Sequence, residues 1–179
     1  LLTFAPPDAL AQLRRNRRKA LVGYLTAGDP DLAQSERDMR IALRHGVDIL
    51  EIGVPFSDPT ADGPVIQAAG RRALDAGANL RRILAMVRRL RRGFPAAPMI
   101  LFSYANPLLA YGYEKLCRDA AAAGVDGLLA VDLPFEESEE LLRWMRPLGL
   151  QFVQLIAPTT PPERMRRILA GADGFVYYI

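Results

Sequence analysis

One carboxylate stands inside an otherwise apolar segment of this 179-residue chain. Glu51 lies in residues 47–54, a run that is typical of a buried parallel strand, where an unpaired ionised glutamate costs on the order of several kcal/mol. Because desolvation raises the pKa of a carboxyl group above its reference of about 4.3, Glu51 suits a general acid and base. The alternative is an ion pair with a buried arginine that the fold brings to it. The pattern favours catalysis.

A second acidic group follows in a loop whose backbone is restricted by prolines. Asp62 lies between Pro59 and Pro64, and Gly63 permits a turn before the next helical segment. Asp62 is either a cap for that helix or a functional carboxylate, and Asp58 in the same loop is more simply a cap. The residues alone leave both alternatives open.

Short apolar runs rich in branched residues alternate with amphipathic stretches along the chain. Strands are predicted for residues 21–25, 48–54, 99–104, 127–132, 151–156 and 174–179, and helices for 8–17, 32–45, 65–75, 80–92, 113–123, 136–148 and 162–170. This alternation predicts a parallel sheet, as either a doubly wound sheet or a (β/α) barrel. The barrel is favoured because no glycine-rich dinucleotide fingerprint follows the first strand, and because polar residues gather at the ends of several strands. These are Glu51, Tyr104, Asp132 and Tyr177.

The composition indicates one globular domain, covering residues 1–179. Half of the residues are hydrophobic, yet the apolar runs are too short to span a bilayer and the first residues do not form a secretory leader. The net charge of +3 comes with arginines scattered through helical segments, which predicts a solvated surface rather than a nucleic-acid site. The single cysteine, Cys117, supports neither a disulfide nor a metal cluster within the chain and suits a small core residue in the cytoplasm.

Residues 50–67, which read L-E-I-G-V-P-F-S-D-P-T-A-D-G-P-V-I-Q, closely resemble the signature of the tryptophan synthase alpha chain family. Further matches at residues 23–30, 103–107, 131–134 and 175–178 extend the resemblance along almost the whole chain. The resemblance implies a (β/α)8 TIM barrel with its active site at the carboxyl ends of the strands. It also implies a lyase of tryptophan biosynthesis, which cleaves indole-3-glycerol phosphate to indole and glyceraldehyde 3-phosphate by a retro-aldol reaction.

The resemblance also implies roles for individual residues. Glu51 would be the catalytic acid and base, protonating the ring carbon that carries the glycerol chain and removing the proton of the neighbouring hydroxyl. Asp62 would accept the indole N–H and stabilise positive charge on the ring. Tyr104 would either reach Glu51 with its hydroxyl or simply pack. The predicted wall of the substrate pocket consists of Tyr24, Ile66, Phe102, Leu129 and Tyr177.

A partner follows from the same resemblance. The family docks a beta chain, which condenses indole with serine on pyridoxal phosphate in an alpha2-beta2 heterotetramer, whereas the alpha chain needs no cofactor. Loop movement at Asp58 is a candidate coupling between the two sites. The positions that match the docking surface are Pro55, Asp58, Asn106, Pro107 and Pro134.

The resemblance stops short of a whole barrel. Eight strands are expected in a TIM barrel, whereas only about the first six βα units are found here, so a C-terminally incomplete domain is expected. This leaves open a non-catalytic alpha-like module that binds and activates the beta chain. Another barrel acting on a phosphorylated sugar is disfavoured, because neither Lys19 nor Lys115 follows a predicted strand.

Overall fold

The computed structural model describes residues 6–172 and 174–179 as strands alternating with helices. The strands are β1 (Val22–Thr26), β2 (Ile49–Gly53), β3 (Met99–Ser103), β4 (Gly127–Ala130), β5 (Gln151–Phe152), β6 (Gln154–Ile156) and β7 (Val176–Tyr178). The α-helices are α1 (Pro6–Arg15), α2 (Leu32–Arg44), α3 (Pro64–Asp75), α4 (Leu80–Gly93), α5 (Ala105–Tyr111), α6 (Tyr113–Ala123), α7 (Glu139–Met145) and α8 (Pro162–Ala170). None of the helices in these described ranges combines the length and apolarity that a membrane span requires.

The strands pair in parallel and in the order of the chain. β1 to β5 form one sheet in the order β1-β2-β3-β4-β5, and β6 pairs with β7. Residues 151–156 form one extended segment that changes neighbours at Val153, whose N–H donates to the carbonyl of Leu128 at 2.9 Å. Because a doubly wound sheet reverses its strand order and this one does not, the predicted barrel architecture is confirmed.

Two predicted elements differ from the structure, and one helix was not predicted. The strand predicted for residues 151–156 is divided between two neighbours, and the helix predicted for 136–148 is α7 flanked by the 3-10 turns Phe135–Glu137 and Arg146–Leu148. Helix α5 was not predicted. The structure places Pro107 in the first turn of α5, where a missing N–H costs nothing.

Alternation along the strands divides the apolar residues into two cores. Leu50 and Ile52 of β2 pack outward against the helices, whereas Ile49 packs inside the barrel with Ile100 and Leu129. Leu10 of α1 also packs against the inner cluster, so α1 closes the amino-terminal end of the barrel. Because side chains on a strand alternate, Glu51 shares the inner face with Ile49 and is directed into the barrel.

Arg91 at the end of α4 ties the amino-terminal ends of two strands together. Its guanidinium donates to the carbonyls of Gly124 and Ala97 at 2.6 and 2.7 Å and pairs with the Asp126 carboxylate. Asp126 also accepts the N–H of Met99 at 2.8 Å. Burial raises the pKa of Asp126 although Arg91 acts in the opposite direction, so this carboxylate depends on its cation.

We expect Arg91→Met to lower the free energy of unfolding by about 3 kcal/mol, because it leaves a largely buried carboxylate without a counter-charge. Urea denaturation measures the change. Arg88→Met, at an exposed position of the same helix, is the control and should change stability by less than about 0.5 kcal/mol. Equal midpoints for the two variants would show that Arg91 does not stabilise this end of the barrel.

Candidate active site

A cavity of about 330 Å³ opens at the carboxyl ends of the strands. Six strands and the first turn of α3 contribute its walls, so side chains far apart in the sequence converge on one space. All five residues predicted for the pocket wall line it, together with Glu51. The lining residues are Tyr24, Glu51, Ile66, Phe102, Leu129, Leu155, Tyr177 and Ile179.

Glu51 is buried at the edge of this cavity, with 4% of its surface exposed. Its Oε1 accepts a hydrogen bond from the hydroxyl of Tyr177. Burial raises the pKa of Glu51, and the bond from Tyr177 lowers it less than burial raises it. Within residues 6–172 and 174–179, no arginine or lysine forms a salt bridge with Glu51. The ion-pair alternative therefore has no support in the described structure.

The structure places Tyr104 beside the cavity rather than in its lining. The Tyr104 side chain is 3% exposed, and its hydroxyl accepts the N–H of Ala61 at 2.9 Å. Of the two alternatives for Tyr104, packing is the one observed, since among the described residues the tyrosine that donates a hydrogen bond to Glu51 is Tyr177 in β7. Tyr104 instead anchors the loop that carries Asp62.

Asp62 does not cap the helix that follows it. Helix α3 begins at Pro64 with Gly63 as its N-cap, and no side chain makes a capping hydrogen bond there. The negative charge of Asp62 contributes, after burial, to raising the pKa of both Tyr24 and Tyr104, and a side-chain hydrogen bond with Asp62 adds to the rise for Tyr104. The half-buried carboxylate of Asp62 therefore lies near two phenols at the rim of the cavity and is free of the structural role that the sequence left open.

Two lining residues, Leu155 and Ile179, were missed by the sequence reasoning. Ile179 lies two positions after Tyr177, so alternation along an extended segment places both on the inner face. Leu155 likewise lies two positions after Val153, which packs in the inner core. Extending the alternation one further step along each strand would have found both residues.

Four of the five residues predicted to face a partner are divided between two clefts, and Asp58 lines neither. Pro55, Asn106 and Pro107 line a groove of about 410 Å³ beside the cavity. Asp58 is exposed in the same loop as Pro55 and accepts a hydrogen bond from the Ser57 hydroxyl, so it is not a helix cap. Pro134 lies in a separate cleft of about 220 Å³. The two regions are joined where Asp132 Oδ1 accepts the N–H of Ala105 at 2.6 Å.

No group of three or more histidine, cysteine, aspartate or glutamate side chains in the described part of the chain is arranged to hold a metal ion. Cys117 is fully buried between helix and sheet. The acidic groups of the region are Glu51, Tyr24 and Tyr177 in the cavity lining, with Asp62 and Tyr104 beside it.

A family model described as tryptophan synthase alpha chain matches residues 10–179. The tryptophan synthase alpha chain of Granulibacter bethesdensis is 50% identical over 169 residues, which cover 94% of this chain and 61% of that protein. The alpha chain of Desulfosudis oleivorans is 51% identical over 172 residues, covering 96% and 64%. This chain thus spans less than two thirds of the length of these curated relatives.

Solved structures of tryptophan synthase also match the fold of this chain. The crystal structure of tryptophan synthase subunit alpha from Legionella pneumophila str. Paris superposes with a TM-score of 0.95 at 41% identity, covering all of this chain and 68% of that one. A structure of Mycobacterium tuberculosis tryptophan synthase gives a TM-score of 0.92 at 37% identity, covering 97% of this chain and 66% of that one.

We expect Glu51→Gln to stabilise the fold in a pH-dependent way. The pKa of Glu51 is raised in the folded protein. Its contribution to the free energy of unfolding is therefore complete at low pH, where the carboxyl group is protonated in both the folded and the unfolded state. This contribution is lost as pH rises through the folded pKa. Glutamine keeps the shape and can accept the Tyr177 hydroxyl without charge. The parent chain and the variant should have equal free energies of unfolding below about pH 4, and the variant should be the more stable of the two at pH 8.

Urea unfolding at both pH values measures this difference. The control is Glu137→Gln, at an exposed glutamate, which should not change the pH dependence. A Glu51→Gln variant that is no more stable than the parent chain at pH 8 would mean that burial does not disfavour the charged carboxylate.

Proposed function

This chain belongs to the tryptophan synthase alpha chain family, and from that premise we propose that it is a cytoplasmic lyase that cleaves indole-3-glycerol phosphate to indole and glyceraldehyde 3-phosphate. The observation that carries the proposal is the Glu51 carboxylate, which is buried at an apolar cavity, has no cation beside it among the described residues and accepts a hydrogen bond from the Tyr177 hydroxyl. A carboxyl group with a raised pKa can give and take a proton near neutral pH. The apolar walls suit a planar indole.

The proposed reaction uses Glu51 twice. Its protonated carboxyl first donates a proton to the ring carbon that carries the glycerol chain, which leaves positive charge on the ring nitrogen. The carboxylate then removes the proton of the hydroxyl on the adjacent side-chain carbon. The bond between that carbon and the ring breaks, its electron pair returns to the ring and neutralises the nitrogen, and the side chain leaves as an aldehyde. Glu51 ends protonated, ready for the next substrate.

Asp62 stabilises the charged intermediate in this proposal. Its carboxylate lies at the cavity rim near Tyr24 and Tyr104 and does not cap α3. Accepting the indole N–H places a negative charge beside the nitrogen where positive charge develops, an interaction that is strongest in the intermediate. The bond from Ala61 to Tyr104 supports this role because it fixes the adjoining loop.

We further infer that the carboxyl-terminal face of the barrel docks a tryptophan synthase beta chain, to which indole is passed and which holds the pyridoxal phosphate. The groove lined by Pro55, Asn106 and Pro107 lies on the same face as the cavity, since its walls follow the ends of β2 and β3. Exposed Val65 and Leu109 add apolar surface on α3 and α5. An apolar groove on the face where indole is released suits direct transfer to a partner.

We expect the chain to release indole from indole-3-glycerol phosphate, as measured by indole fluorescence or chromatography. Glu51→Gln should lower the rate by about 10²- to 10⁴-fold, the usual contribution of a general acid and base. Asp62→Asn should lower it by about 10²-fold through lost electrostatic stabilisation. Glu137→Gln is the matched control and should retain the parent rate. A parent chain that binds and activates a beta chain but releases no indole would replace the lyase with the non-catalytic module.

We expect Asp58→Ala to reduce severalfold the activation of a beta chain, measured as tryptophan formed from indole and serine at saturating alpha chain. Asp58 is exposed on the loop beside the groove, so its loss should weaken the coupling without disturbing the fold. Glu163→Ala, at an exposed position of α8, is the control. Identical activation curves for the two variants would exclude Asp58 from the coupling.

A further inference from the structure

The hydroxyl of Tyr24 is a polar group that an apolar pocket wall does not require. Tyr24 on β1 lies opposite Glu51 in the strand register and lines the cavity. The edge of its ring packs on Phe102, with centroids 5.2 Å apart and planes at 77°. A phenylalanine would make the same ring contact, so the hydroxyl needs a separate explanation.

Gly53 provides the space that this hydroxyl occupies. A Cβ built on Gly53 would lie 2.2 Å from the Tyr24 hydroxyl oxygen and 2.5 Å from its Cζ. Gly53 is on the inner face of β2, two residues closer to the cavity mouth than Glu51. The hydroxyl therefore lies over the end of β2, past Glu51 and towards the loop that carries Asp62.

The proton of this hydroxyl has no acceptor among the residues that the structure describes. The Tyr24 oxygen accepts a long hydrogen bond of 3.5 Å from the Thr26 hydroxyl, which leaves its own O–H undirected. Burial, followed by the charges of Asp62 and Glu51, raises the pKa of Tyr24. The phenol thus keeps its proton and remains a donor between two carboxylates.

We propose that Tyr24 is a positioning residue whose hydroxyl, when indole is bound, donates to the Asp62 carboxylate and holds it where it accepts the indole N–H. This inference rests on the role given to Asp62 in the proposed function. A carboxylate can accept several hydrogen bonds at once, so the phenol and the indole N–H need not compete. Asp62 lies in irregular backbone without a capping bond, where a second anchor beside Tyr104 restricts its rotamers.

The test compares two ligands of the same bicyclic shape, indole and benzothiophene, of which only indole has an N–H. Ligand-observed NMR titration gives both dissociation constants for the parent chain and for Tyr24→Phe, which keeps the ring. We expect the parent chain to bind indole more tightly than benzothiophene. In Tyr24→Phe the ratio of the two dissociation constants should fall about three- to tenfold, the factor expected for one hydrogen bond. Its affinity for benzothiophene should change by less than about twofold.

Two further variants separate the possible outcomes. Phe102→Leu alters the same wall without removing a polar atom. It should therefore weaken the binding of both ligands equally and leave the ratio of their dissociation constants unchanged. Asp62→Ala should abolish the preference for indole. If Asp62→Ala abolishes the preference but Tyr24→Phe leaves it intact, or if Phe102→Leu lowers the ratio as much as Tyr24→Phe does, the role of Tyr24 is wrong while the proposed function stands.

If the parent chain has no preference for indole, or if Asp62→Ala retains it, the role of Asp62 fails and that of Tyr24 fails with it. The release of indole from indole-3-glycerol phosphate tests the lyase independently of both.

Discussion

The site depends on one constraint, which is that the pleat of β2 turns a glutamate inward among apolar side chains. Ile49 and Glu51 share the inner face, and neither an arginine nor a lysine among the described residues compensates the carboxylate. The only direct support for Glu51 in that part of the chain is a neutral hydroxyl, that of Tyr177, which satisfies one oxygen without cancelling the cost of burying the charge. That uncompensated cost keeps the proton affinity of the carboxyl high, and the surrounding cavity provides an apolar space in which it can act.

The polar residues at the strand ends make two kinds of hydrogen bond. Glu51 and Tyr177 meet inside the cavity, whereas Tyr104 and Asp132 bind backbone N–H groups of neighbouring loops, at Ala61 and Ala105. The second pair fixes the loops from which the proposed docking surface is built. The Glu51 carboxyl group and the neighbouring loops are therefore held by separate side chains at the same end of one barrel.

Much of this arrangement could be predicted from the sequence, because it depends on local periodicity. Alternation of side chains along β2 turned Glu51 inward, and the alternation of strands and helices predicted a parallel sheet, whereas the wall residues were identified through the resemblance to the family. Choosing between Tyr104 and Tyr177 as the partner of Glu51 was beyond the sequence, since that choice depends on how the sheet curves to bring β7 across from β2. The status of Asp62 as a cap also needed coordinates, because α3 could begin one residue earlier or later. Helix α5 was not predicted, and it contains a proline in its first turn, where a helix tolerates one.

The bond between Tyr177 and Glu51 joins residues that are 126 positions apart in the chain. Because β2 precedes β7 along the chain, Glu51 gains this hydrogen bond only when the late strand has docked beside β6. The cavity around the carboxyl group is likewise complete only then, because Tyr177 and Ile179 supply part of its wall. An incompletely folded chain therefore lacks both the hydrogen-bond partner and the enclosure of this carboxyl group, so the environment that raises its pKa belongs to the folded sheet and not to β2 alone.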